Sequence, residues 1–259
     1  WCLPAMAPLA HALALLAMAV VATAAIKELS LDMAKNSFDD QYLHCSTEMT
    51  KNLRKLQSDD FDKNGEFKVG WGNATKECDN RRLVSYSLTK DETVALMAYT
   101  MKSTGLYEKF NKATREAGES PKKYKNEFPF KSLHFLLTRA LQKLNPGRTC
   151  WNVYRGVRDI KFNTEPGKEI RFGQFASSSL SEKVAQGFGQ GTVFKVYTCH
   201  GVDIQKFSYD QREKEVLIPP FETFRVTDVR NQGKEIHLQS TRNFSNYDCG
   251  SLKGDIMGT

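Results

Sequence analysis

The spacing of apolar residues along this chain changes once, near Cys150, and that change limits the fold more than any other feature. Before it, apolar side chains recur at helical intervals. Phe130 to Leu144 is the clearest case, with Leu133, Leu136, Leu137, Ala140, Leu141 and Leu144 on one stripe. Asn145-Pro146-Gly147 then stops the helix. Asp39 to Ser58 and Tyr107 to Gly118 carry similar patterns. Thr89 followed three residues later by Glu92 has capping-box spacing and opens another helix. After Cys150, short runs rich in Val, Ile, Phe and Tyr alternate with turn residues. Trp151–Val157, Ile170–Ser177, Thr192–Tyr197, Ile204–Phe207, Glu215–Ile218, Phe224–Val229 and Glu235–Gln239 read as strands, with one helix at Ser181–Gly187. Helices first and strands later predict an α+β fold rather than an alternating parallel sheet.

Residues 1–26 contain no Lys, Arg, Asp or Glu, and Met6 to Ile26 are mostly Ala, Leu, Val and Met. Small residues at Ala22-Thr23-Ala24-Ala25 and the polar chain from Lys27 make residues 1–25 a candidate signal peptide; an uncleaved anchor is the alternative. Residues 26–259 are then long enough for a single domain, helical over about 35–147 and β-rich over about 148–249. The polar stretch Gly250 to Thr259 lacks the apolar tail of a lipid-anchor signal, so the expected mature form is secreted, with no membrane span. Five cysteines follow the leader: Cys45, Cys78, Cys150, Cys199 and Cys249. None forms a zinc-type pair, so no metal is expected, and an oxidising compartment would leave one thiol free or bonded to another chain. The sequons Asn73-Ala74-Thr75 and Asn243-Phe244-Ser245 agree with secretion. The net charge of +7 is spread without a basic block, and no RNA-binding or zinc-finger signature accompanies it, so nucleic acid is not the expected partner.

Two motifs mislead. Asp60-x-Asp62-x-Asn64-Gly65 copies the start of a calcium loop, but Trp71 stands where a bidentate Glu is needed, so a polar turn is expected. Gly187-Phe188-Gly189-Gln190-Gly191 precedes a strand rather than a helix, the wrong order for a dinucleotide fingerprint. The informative segment is Arg212-Glu213-Lys214-Glu215-Val216-Leu217-Ile218. If it is extended, Glu213 and Glu215 point the same way, a pattern suited to acid/base or charge-stabilising work, although an exposed charged turn would look the same. Arg155 sits inside an aromatic, β-branched strand, where burial is costly unless it meets an anion. Ser177-Ser178-Ser179 ends another strand, where the three hydroxyls can orient neighbours, and Ser179 or Ser181 is a candidate helix cap.

The order Arg155, then Ser177-Ser178-Ser179, then Glu213-Lys214-Glu215 resembles the arginine-specific ADP-ribosyltransferases of the vertebrate ecto-enzyme family, which share a core with some bacterial toxins. Phe130 to Leu141, Arg171 to Leu180 and Glu215 to Glu222 also look like family blocks, so the likeness runs from about Lys35 to Cys249. It implies a helical part packed on a mostly antiparallel two-sheet core. It implies that Arg155 holds the NAD phosphates, with Gly156 beside it, that Ser177 orients the site, and that Phe188 lies against nicotinamide. It implies Glu215 as the catalytic carboxylate and Glu213 as the selector of arginine, because relatives lacking the first Glu tend toward NAD hydrolysis. It implies the disulfides Cys45–Cys249 and Cys150–Cys199, each contributing on the order of 4 kcal/mol in the chain-entropy model. NAD, with NADP as an alternative, would be a substrate and not a permanently bound cofactor. Protein arginine side chains would be the acceptors, and NAD glycohydrolase activity is the alternative function.

Overall fold

Capping chemistry sets the helix boundaries in the first half of the molecule. The structure, a computed structural model, describes residues 26–250; the expected leader at 1–25 and the polar C-terminal stretch beyond Gly250 lie outside the described residues. Helices α1 (Ser46–Lys63) and α2 (Gly65–Asn80) meet at Asn64, whose side chain accepts from the Phe67 amide at 3.0 Å. That cap starts a second helix where the sequence predicts a polar turn. Asp60 is inside α1, buried, and accepts from the amide and hydroxyl of Ser132 at 2.7 and 2.6 Å, satisfying donors in the first turn of α6 (Lys131–Leu144). Helix α3 (Lys90–Thr100) carries both halves of the expected capping box between Thr89 and Glu92. Helices α4 (Leu106–Ala117) and α5 (Pro121–Glu127) complete this half.

The helix expected from Asp39 starts later, at Ser46. Tertiary contacts override the pattern there: Asp39 accepts from the backbone amides of Asn246 and Tyr247, and Asp40 accepts from Tyr42 at 2.7 Å and Gly250 at 2.9 Å. Tyr42 is forced to φ 55° and its ring joins the core. His134 is a core residue. Its Nε2 donates to the Phe38 carbonyl at 3.1 Å, which leaves Nδ1 to accept from the Tyr42 hydroxyl at 2.8 Å. Burial pushes its pKa down to about 3, so it stays neutral.

The second half is built on strands β2 (Trp151–Val157), β3 (Ile160–Asn163), β4 (Glu169–Ile170), β5 (Ala176–Ser179), β6 (Thr192–Thr198), β7 (Val202–Asp203), β8 (Glu215–Ile218), β9 (Glu222–Arg230) and β10 (Glu235–Asn243). Eight of them form one sheet in the order β4-β9-β10-β6-β2-β5-β8-β7, antiparallel except where β10 pairs β6. An additional strand β1 (Lys27–Ser30), which the sequence pattern does not announce, pairs β3 in a second, two-stranded parallel sheet. The fold is α+β, as the change of spacing predicts. Two strand expectations need correction. Ile170–Ser177 divides into β4 and β5, because Arg171 leaves the ladder to bury its guanidinium against Asp39 and the Met33, Ala34 and Phe244 carbonyls. Ile204–Phe207 is a hydrogen-bonded turn, with the Phe207 and Ser208 amides donating back to Ile204.

Strand β8 lies between two cores. Leu217 faces the aromatic cluster under the helices, while Val216 and Ile218 join the cluster of Val153, Phe194, Val196 and Phe224. Period-two alternation therefore turns Glu215 toward the helical half. The disulfides are Cys45–Cys249 and Cys150–Cys199, the pairing that the resemblance implies. The second closes the end of the β2–β6 ladder where Trp151 faces Thr198. Cys78 is a buried free thiol between α2 and α3, pushed up to about 11 by burial.

Candidate active site

A cleft of about 750 Å³ opens between the α3–α4 connection and the β2, β5 and β8 edge of the large sheet. Arg155, Gly156, Ser177, Phe188, Glu213 and Glu215, all picked out from the sequence, line it together. A shallower groove of about 850 Å³, bounded by Tyr86, Trp151 and Phe207, contains none of them.

Glu215 begins β8 and is 4% exposed. Burial pushes its pKa up to about 7, and the nearby Glu213 charge adds to the rise. Hydrogen bonds from Ser177 and Ser208 oppose it, the latter at 3.1 Å. Ser177 lies beside the buried Tyr99, whose hydroxyl donates to the Phe175 carbonyl at 2.9 Å and accepts from Asn111 at 3.0 Å.

Glu213 is not part of an extended run. It ends a single helical turn, Gln211–Glu213, and Lys214 follows in the left-handed region at φ 48°, ψ 50°. The turn arises because Asp210 accepts from the Arg212 amide at 3.0 Å and caps it. Ser179 then donates to the Glu213 carbonyl at 2.6 Å, anchoring the turn to β5. The two carboxylates reach one cleft through this turn rather than through strand alternation. The Ser179 hydroxyl also accepts from the Ser181 amide at 3.0 Å at the entrance to the next helix, α7 (Glu182–Gly187), while Ser181 itself makes no side-chain cap there.

Arg155 lies on β2 and donates to the Ser177 carbonyl at 2.6 Å. Desolvation lowers its pKa, although the guanidinium remains a cation well above neutral pH. Gly156 beside it permits a close approach: a Cβ there would lie 2.1 Å from the Ala185 carbonyl and 2.5 Å from that of Gly189. The glycine-rich segment thus serves packing, with Gly189 at φ 146° against the Arg158 backbone. The fit of α7 on β2 sets Phe188, 39% exposed, at the cleft mouth.

Several site residues escape sequence reasoning. Tyr99 reads only as part of an apolar helix stripe, and Tyr107 and Asn111 only as helix α4. Lys102 pairs with Glu213 and lies 4.2 Å from the centre of the Phe188 ring, a contact across 111 residues that no local pattern signals. Arg81 donates to the carbonyls of Ser208 and Tyr209 at 3.1 and 2.8 Å, strapping the segment before Glu213 to α2.

The NAD:arginine ADP-ribosyltransferase family model matches residues 31–246. The erythroblast NAD(P)(+)--arginine ADP-ribosyltransferase of Gallus gallus is 47% identical over 235 residues, covering 88% of this chain and 78% of that protein. The GPI-linked NAD(P)(+)--arginine ADP-ribosyltransferase 1 of Homo sapiens is 41% identical over 248 residues, covering 88% and 76%. A solved structure of a mutant of the eukaryotic mono-ADP-ribosyltransferase ART2.2 in complex with NAD is 40% identical, with a TM-score of 0.73 over 85% of this chain and 98% of that one. A family match over nearly the whole described region, together with relatives above 40% identity, places the chain in the NAD:arginine ADP-ribosyltransferase family.

Proposed function

We propose that the protein is a mono-ADP-ribosyltransferase that cleaves the bond between nicotinamide and ribose in NAD and transfers ADP-ribose to arginine side chains. One observation carries this reading: a guanidinium, Arg155, and two carboxylates, Glu213 and Glu215, share one cleft. NAD or NADP is a substrate and leaves as products.

The transition state resembles an oxocarbenium ion. Nicotinamide is already cationic in NAD and departs neutral with the bonding electron pair, so the leaving group needs no acid. The reaction needs negative charge beside ribose, which ionised Glu215 supplies, with Ser177 and Ser208 holding it in place. Arg155 clamps the diphosphate with its planar fork, and Gly156 leaves room for the backbone packing that sets the strand. The face of Phe188 receives the cationic ring, at roughly 0.5–2 kcal/mol. Glu213 pairs with the incoming guanidinium and aims one nitrogen at ribose C1′. As the C–N bond forms, Glu213 accepts the proton that nitrogen loses.

The alternative is an NAD glycohydrolase, in which water attacks C1′. The Lys102 ion pair favours it, because it occupies the carboxylate that arginine would need. Incubation with NAD and agmatine separates the two: free ADP-ribose without an agmatine adduct rejects the transferase reading. Glu213→Gln should lose transfer to agmatine while still releasing nicotinamide.

We read residues 1–25 as a signal peptide and 26–259 as one catalytic domain acting outside the cell. Two disulfides and the GPI-linked human relative support an extracellular setting. Among the described residues, no helix is long and apolar enough to cross a membrane. The exposed Asn73 of the first sequon is the better placed for a glycan, since the Asn243 amide is already bonded to Gln41 at 2.9 Å.

A further inference from the structure

We infer that Lys102 is a specificity-determining residue whose ammonium competes with the acceptor guanidinium for Glu213 and so sets how ADP-ribose is divided between arginine and water. The inference rests on the reading of Glu213 as the acceptor-binding carboxylate.

The Lys102 ammonium sits between two groups that attract cations. Glu213 pairs with it, and the Phe188 ring face lies 4.2 Å away. A carboxylate and an aromatic face together make a cation seat, and in the resting enzyme the protein's own lysine occupies it. Arg212, adjacent to Glu213 in sequence, pairs with Asp210 instead. Among the described residues, Lys102 is the cation paired with Glu213.

The seat and its occupant differ in mobility. The Glu213 side chain is 18% exposed and its turn is tied to Ser179, whereas the Lys102 side chain is 54% exposed. Lys102 also begins a single turn, Lys102–Thr104, which ends at Gly105 with φ 62°. The lysine can therefore withdraw into water while the carboxylate stays in place. An ammonium meets a carboxylate as a point charge. A guanidinium meets it with two parallel N–H groups. An arginine substrate is thus equipped to displace the lysine, and it must do so before transfer. Water needs no such displacement, so Lys102 raises the acceptor concentration at which transfer overtakes hydrolysis.

The test is steady-state kinetics on the full chain at saturating NAD, with agmatine varied and both free ADP-ribose and the agmatine adduct measured. Lys102→Met should lower the KM for agmatine about fivefold, the scale of one partly exposed ion pair, and shift the adduct-to-ADP-ribose ratio at low agmatine by the same factor. The kcat for transfer at saturating agmatine should change less than the KM. Lys102→Arg, which keeps the charge and can meet the carboxylate with two N–H groups, should hold the KM at or above that of the unaltered enzyme. An unchanged or increased KM in Lys102→Met overturns the proposal, as does an equal fall in Lys102→Arg, which would show that side-chain shape and not charge is responsible. Glu213→Gln is the control for the underlying reading. If it still forms the agmatine adduct normally, Glu213 is not the acceptor carboxylate and the proposal falls with it. If it loses the adduct while Lys102→Met leaves the KM unchanged, the competition alone is wrong.

Discussion

Replacing Glu215 with Gln should abolish NAD cleavage and, at alkaline pH, make the protein more stable. Glu215 is 4% exposed, and burial raises its pKa from 4.5 to about 7. At about 1.4 kcal/mol per pH unit, that rise corresponds to ~3 kcal/mol between the protonation states. Below pH 4.5 the group is protonated in both folded and unfolded chains, and it costs the fold nothing. Between pH 4.5 and about 7 the unfolded chain ionises while the folded one stays protonated, so stability falls as pH rises. Above pH 7 the full ~3 kcal/mol is lost. Gln carries no charge at either pH and escapes the loss. Urea unfolding at pH 4.5 and pH 8, with the disulfides intact, reads the difference. At an m-value of about 2 kcal/mol/M, the advantage of Glu215→Gln should grow by about 1.5 M in midpoint between the two pH values. The same titration governs activity, because the reaction needs the ionised form: kcat/KM for NAD should fall about tenfold per pH unit below about 7. A midpoint difference that stays constant with pH, or kcat/KM that is flat from pH 5 to 8, would refute the argument that a buried, charge-costly carboxylate performs the chemistry.

Two other outcomes follow from packing. Gly156→Ala places a methyl 2.1 Å from the Ala185 carbonyl, so α7 must shift; activity should fall at least tenfold and stability by about 1–3 kcal/mol, measured by nicotinamide release and urea unfolding. Arg171→Met strands the fully buried Asp39 carboxylate with neutral donors alone and should cost about 3–5 kcal/mol, seen as a lower Tm, and the double replacement Asp39→Leu with Arg171→Met should recover part of it.

Where the apolar spacing is regular, sequence and structure agree. The capping box of α3, the stripe of α6 and strands β2, β6 and β8 lie where local pattern predicts, because their own side chains meet most of their energetic requirements. Helix α2 is missed because Gly65, Gly70 and Gly72 dilute its stripe, and its start depends on the Asn64 cap. Strand β1 is missed because the strand it pairs with, β3, lies more than 130 residues away.

The chain by itself specified helices first and strands later, and a short list of groups with unusual chemistry: an arginine in a β-strand, a run of serines, and two glutamates two residues apart. Only the tertiary structure decided how the glutamates meet. A turn capped by Asp210, a left-handed Lys214 and the Ser179 hydroxyl deliver Glu213 to the cleft. It also brought Lys102 onto that carboxylate and buried Glu215 far enough to raise its pKa to about 7. Desolvation and long-range charge depend on what lies nearby in space, and for these groups the neighbours come from segments distant in sequence.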